Sequence, residues 1–136
     1  MVERLRVFHS KNYIHRDIKP ENMVLGRNKK SKIIYLIDYG LAREYREPNS
    51  LLHIGERKSR DGFLGTVRFA SCNVHLEIEP SRRDDLESLF YSIIYMAKGS
   101  LPWQADKLGL TSLKDSYAIG SHKLQKVLKV KSLATA

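Results

Sequence analysis

Between residues 15 and 40 the chain reads HRDIKPEN and then, from Ile37, IDYG. Together these stretches supply two aspartates, a lysine and an asparagine in a fixed order: Asp17, Lys19, Asn22 and Asp38. Phosphoryl transfer asks for such a set, because it needs a carboxylate near the attacking hydroxyl, a cation against the moving phosphate and oxygen ligands for a divalent metal. Asp17 would accept or orient the hydroxyl proton. Lys19 would neutralise charge on the phosphate, Asn22 would offer an oxygen to magnesium, and Asp38 would be the main metal carboxylate. His15 reads as a buried histidine that holds the loop, not as an acid or base. Arg16 is open between pairing with an anion on a later loop and making no specific contact.

These residues need elements to hold them. Leu5 and Phe8 lie three apart among good helix formers, which predicts the last turns of a helix that SKN stops. After the HRDIKPEN loop, MVL and KIIYLI are short apolar runs rich in β-branched residues, and GRNKKSK between them has turn composition; this predicts a hairpin with Asp38 at its exit. From Gly40 to Thr66 there is no sustained periodicity, Pro and Gly recur, and Arg43, Arg46, Arg57, Lys58 and Arg60 make the stretch basic. It is expected to be one long loop, either functional or disordered. SRRDDLESLFYSIIYMAKG is the clearest helix, with Ser81 as its cap, acidic residues in its early turns and Gly99 as its stop. Its apolar residues spread beyond one stripe, which predicts burial on most sides. A weak helix is expected around SHKLQKVLKVKSL.

At 136 residues, 42% hydrophobic and 29% charged, the chain fits one globular domain. No run is long or apolar enough to cross a membrane, and the N-terminus lacks the features of a secretory signal. The single cysteine, Cys72, excludes an internal disulfide framework and a thiolate zinc cluster. An intracellular location, cytoplasmic or nuclear, is therefore expected. The net charge of +9 calls for acidic partners: phosphates, acidic peptides, nucleic acid or anionic lipid. Nucleic acid is disfavoured, because the basic residues are not interleaved with aromatics as stacking surfaces require.

HRDIKPEN matches the kinase pattern H-R-D-L-x-x-x-N except for Ile18 at the leucine position. IHRDIKPEN, LIDYGLA, GTVRFAS, HLEIEPSRRDDLESL and GSLPWQ, in that order, resemble the casein kinase 1 group of serine/threonine protein kinases over roughly residues 5 to 117. Where most protein kinases carry A-P-E after the activation loop, Ala70 to Asn73 read ASCN, similar to the S-I-N form of that group. The tau-tubulin and vaccinia-related kinases share parts of the pattern. The resemblance implies ATP as phosphate donor, Mg2+, and Ser or Thr in an acidic or already phosphorylated protein as acceptor. It also places Thr66 near Asp17 to position the hydroxyl and makes Asp85 the buried anchor of the catalytic loop. Arg68 and Lys114 become the cations that bind a substrate anion. Tyr39 stands where kinases usually carry phenylalanine, and Phe90 where glycine is more usual.

The fold expected from the resemblance is α+β: the mainly helical C-terminal lobe of the kinase fold with a short β-hairpin, the N-terminal β-rich lobe being absent. Residues 1–136 would then be a partial kinase domain, since no G-x-G-x-x-G occurs in the chain and the fourteen residues before His15 are too few for that lobe. A kinase by family is expected, with a catalytically inactive fragment or pseudokinase that binds acidic or phosphorylated partners as the alternative.

Overall fold

A computed structural model describes residues 1–104 together with Ser121, Lys123 and Gln125. The chain opens with helix α1, Val2–Ser10, whose Leu5 is fully buried. Asn12, in the left-handed region at φ 71°, turns the chain out of it into strand β1, Tyr13–Ile14. The HRDIKPEN loop ends in a single 3-10 turn, Pro20–Asn22, with proline at its first position, where the ring's fixed φ suits a helical start and its missing N–H is not needed. Strands β2, Met23–Leu25, and β3, Ile34–Leu36, form the hairpin expected from sequence. They are antiparallel in the register Met23↔Leu36, Val24↔Tyr35, Leu25↔Ile34.

The stretch from Gly40 to Thr66 is more ordered than the expected continuous loop. Strand β4, Arg43–Glu44, pairs antiparallel with β1, and isolated bridges join Arg46 to His53 and Lys58 to Ile78. Periodicity could not show this, because a two-residue strand and single bridges leave no repeat to read. Helix α2, Cys72–His75, is one short turn capped by the Ser71 hydroxyl, which accepts from the Val74 amide. Helix α3, Arg82–Lys98, is the longest element described. Ser81 precedes it, its amide donating to the Asp84 carboxylate at 2.7 Å, and Gly99 at φ 71° ends it.

Helix α3 joins two apolar clusters. Leu89 packs with Leu5, Ile18 and Leu36, tying α1, the HRDIKPEN loop and the hairpin together. Tyr91 packs with Phe69, Leu101 and Trp103. The expectation that α3 is buried on most sides is corrected by its outer face: Leu86, Phe90, Ile93 and Met96 are 44–60% exposed. The reason lies in the inward face, where Asp84, Asp85, Ser88 and Ser92 are buried, so polar anchors occupy positions that apolar residues would otherwise take. Phe90, at the position where glycine is more usual, points into this open face. Among the described residues no helix is long and apolar enough to cross a membrane. Mixed helix and small antiparallel sheets make the fold α+β. Lys114 and most of the expected weak helix lie outside the described residues; Ser121, Lys123 and Gln125, which are described, are helical.

Candidate active site

Asp85 on α3 sets the backbone of the HRDIKPEN loop. Its side chain accepts from the His15 amide at 2.8 Å and the Arg16 amide at 2.9 Å, and meets His9 Nε2 of α1 at 2.8 Å. A buried carboxylate needs such partners, since its desolvation would otherwise be costly. These bonds hold Arg16 at φ 69°, a backbone conformation that a non-glycine residue rarely takes. The fully buried His15 ring spans from this loop to the hairpin exit, with Nε2 at 3.1 Å from the Ile37 carbonyl.

The loop so fixed presents a closed triangle of side chains. Lys19 Nζ lies 2.7 Å from Asp17 Oδ2 and donates to Thr66 Oγ1 at 3.1 Å, while the Thr66 hydroxyl donates to Asp17 Oδ1 at 2.7 Å. Asn22 folds back onto the same residue, its amide donating to the Asp17 carbonyl at 2.9 Å and reaching Oδ2 at 3.4 Å. Thr66 is far in sequence, and Gly65 explains how it arrives. At φ 101°, Gly65 passes so close to the Arg16 carbonyl that a Cβ there would sit 2.6 Å from the oxygen. Only glycine lets the two backbones meet.

Asp38 is delivered by the hairpin. The Ile37 amide closes the ladder onto the Asn22 carbonyl at 3.0 Å, so Asp38 follows directly on the residue bonded to Asn22. It is exposed, lies at φ 64° and takes only the Gly40 amide, at 3.3 Å; among the described residues it has no ion-pair partner. Exposed carboxylate oxygens and an asparagine amide oxygen are hard donors of the kind magnesium selects. No cluster of three or more His, Cys, Asp or Glu suited to a metal occurs among the described residues. Two protein ligands with phosphate and water completing the shell is the usual magnesium arrangement, so the residues fit that ion. Next to Asp38, Tyr39 stacks on Phe8 at 5.3 Å between centroids and meets the His15 ring edge-on at 5.6 Å, and its hydroxyl donates to the Leu36 carbonyl at 2.6 Å.

The Arg68 guanidinium lies 5.1 Å from the Tyr95 ring centroid and 5.8 Å from that of Phe69. Its carbonyl accepts from Trp103 Nε1 at 2.9 Å. Several residues at or beside the site went unread in the sequence. His9 supports Asp85; Asp61 accepts from Arg16 at 2.7 Å and Arg43 at 2.9 Å; and the buried Glu79 lies 3.3 Å from Arg43. Asp61 carried a signal, as the lone acid between Arg57 and Thr66 in a basic stretch. The hydrogen bond from Arg16, first, then nearby positive charge hold its carboxyl below the usual range.

A family model for the protein kinase domain matches residues 1–133. With nearly the whole chain covered, the protein belongs to the protein kinase domain family.

Proposed function

We propose that this protein transfers the γ-phosphate of ATP to Ser or Thr hydroxyls of acidic or phosphorylated protein substrates, as the casein kinase 1 group does. The observation that carries the reading is the Asp17–Lys19–Thr66 triangle, two side chains of one loop and a third from a distant segment joined at 2.7 to 3.1 Å. An ionised carboxylate has about four lone-pair sites, so Asp17 retains acceptor capacity for a substrate hydroxyl beside Thr66 and Lys19. Asp17 orients that hydroxyl and takes its proton, and Lys19 faces the charge that develops on the phosphoryl oxygens. Asp38 and Asn22 would hold Mg2+, which supplies charge neutralisation on the nucleotide phosphates. Arg68, stacked over rings yet without a carboxylate partner among the described residues, suits an acidic group on the substrate; Lys114 is its proposed companion.

A second reading is an inactive kinase fragment that binds acidic partners without turnover. It is favoured by Arg68, whose guanidinium lies over the Tyr95 and Phe69 rings without a carboxylate partner among the described residues and suits an acidic group whether or not transfer follows. Calorimetric titration with ATP and Mg2+, followed by transfer to an acidic serine peptide, separates the two. The kinase reading expects saturable binding lost in Asp38→Ala, and transfer reduced about 10²- to 10⁴-fold in Asp17→Asn. A folded chain that binds peptide but no nucleotide would sink it in favour of the second.

A further inference from the structure

Tyr45 follows directly on β4 and is buried. Its hydroxyl donates to the His9 carbonyl of α1 at 3.0 Å, its amide donates to the Asn12 carbonyl at 3.2 Å, and its own carbonyl accepts from the Ile54 amide at 3.0 Å, so the ring is held on three sides. Two guanidinium groups lie over this one ring: Arg46 at 5.4 Å from the centroid and Arg82, the first residue of α3, at 5.0 Å. An aromatic face attracts the charge of an arginine without satisfying its fork of N–H donors, which stays open to an anion.

The acids nearby do not use those donors. Glu56 is 3.7 Å from Arg83, and the buried Glu79 is 3.3 Å from Arg43 and 3.7 Å from Arg57. Arg46 and Arg82 have no carboxylate partner among the described residues. Arg46 is also well placed to wait for one, because its bridge to His53 and the Glu47 amide bonded to the Leu52 carbonyl at 2.8 Å fix the turn that carries it.

Both arginines line an open cavity of about 1050 Å³ between α1, the segment 45–56 and the start of α3. Pockets for small molecules run from about 300 to 1,000 Å³, so this one has room for a short run of chain. Part of its wall is apolar: Val2, Ile54 and Leu86, of which Val2 and Leu86 are exposed. None of Asp17, Lys19, Asn22, Asp38, Thr66 or Arg68 lines it. A nucleic acid suits it less than a peptide, because bases stack on open aromatic faces and the Tyr45 ring is buried.

We propose that this cavity is a docking site for an acidic peptide segment, whose carboxylates pair with Arg46 and Arg82 while an apolar residue between them lies against Val2, Ile54 and Leu86. The site needs neither nucleotide nor transfer and stands whether or not the kinase reading above does.

The test is fluorescence anisotropy of the full chain with a fluorescein-labelled peptide in which aspartate and leucine alternate. Saturable binding is expected, weakening as salt is raised and weakening about tenfold in each of Arg46→Gln and Arg82→Gln, as loss of a hydrogen bond to a charged group does. Arg46→Lys and Arg82→Lys keep the charge and should lose less than the glutamine variants. With the urea midpoint of each variant, they separate a lost anion contact from lost folding. A peptide with serine in place of leucine should bind about tenfold more weakly, for want of an apolar side chain to bury. No saturable binding, or binding that the Arg46→Gln/Arg82→Gln double variant keeps and Arg68→Gln loses, overturns the site. Equal binding of the serine peptide overturns the apolar contact. Tighter binding of a single-stranded oligonucleotide of equal charge, lost in the double variant, overturns the peptide as occupant.

Discussion

Asp85 does with one carboxylate what the loop sequence cannot do for itself: it bonds two successive amides and a histidine from another helix. Asp85→Ala leaves the His15 and Arg16 donors without their acceptor, each lost partner costing roughly 1–3 kcal/mol. The expected loss is about 3 kcal/mol or more, a large part of the 5–15 kcal/mol typical of a domain. Urea unfolding monitored at Trp103 would measure it, and a loss under about 1 kcal/mol would show that water replaces the carboxylate. Gly65→Ala works differently. It forces a Cβ to 2.6 Å from the Arg16 carbonyl at an already positive φ, so the contact must open. Its expected signature is a drop in phosphotransfer of about 10²-fold, as for a misplaced catalytic group, with nucleotide affinity unchanged. Equal loss of affinity and turnover would argue against it.

Elements show how much the sequence disclosed. The hairpin was legible because its strands are apolar and β-branched with polar turn residues between them, and α3 was legible because Ser81, its acidic first turn and Gly99 mark both ends. The nearness of Thr66 to Asp17 was legible only through the family resemblance: nothing in the spacing between Lys19 and Thr66 says that a glycine at 65 lets the backbones touch. The outward face of α3 was misread for a related reason, since periodicity reports that residues are apolar, not that acids claim the inward face. Gly99 carries its own prediction. Among the described residues nothing beyond its chain neighbours lies within 4 Å of a Cβ placed there, so Gly99→Ala pays chiefly for the left-handed backbone. A cost of about 1–2 kcal/mol is expected, and less for Gly99→Asn, because asparagine tolerates that conformation better. Denaturant midpoints of the two variants check the order, and equal midpoints would assign the cost to something besides φ.

Across the whole molecule, the segment that carries Arg68 to Cys72 is held from behind by Lys123. This lysine is fully buried, donates to the Ala70 carbonyl at 2.5 Å and sits 4.5 and 4.7 Å from the Tyr91 and Trp103 ring centroids. Around it are Cys72 of α2 and, on α3, Tyr91 and Glu87, with the Tyr91 hydroxyl donating to Glu87 at 2.6 Å. Burial, foremost, pushes the Lys123 amine down from 10.5 to about 7. The unfolded chain keeps that proton up to about pH 10.5, whereas the folded one releases it near 7, so between these values unfolding takes up a proton and stability rises with pH. The slope from one group is at most about 1.4 kcal/mol per pH unit. Burial and then the charge of Glu87 push the Cys72 thiol up from 9.0, and burial also pushes the Tyr91 phenol up. Those groups keep protons that the unfolded chain gives up, so their contribution falls away above about pH 9. Stability should therefore climb from about pH 7, reach a maximum near pH 9 and then decline. Urea unfolding from pH 6 to 10 tests this shape, with Lys123→Met, which keeps the aliphatic contact with the rings, expected to flatten the rise and leave the decline. A Lys123→Met chain that keeps the same rise would assign it to another group.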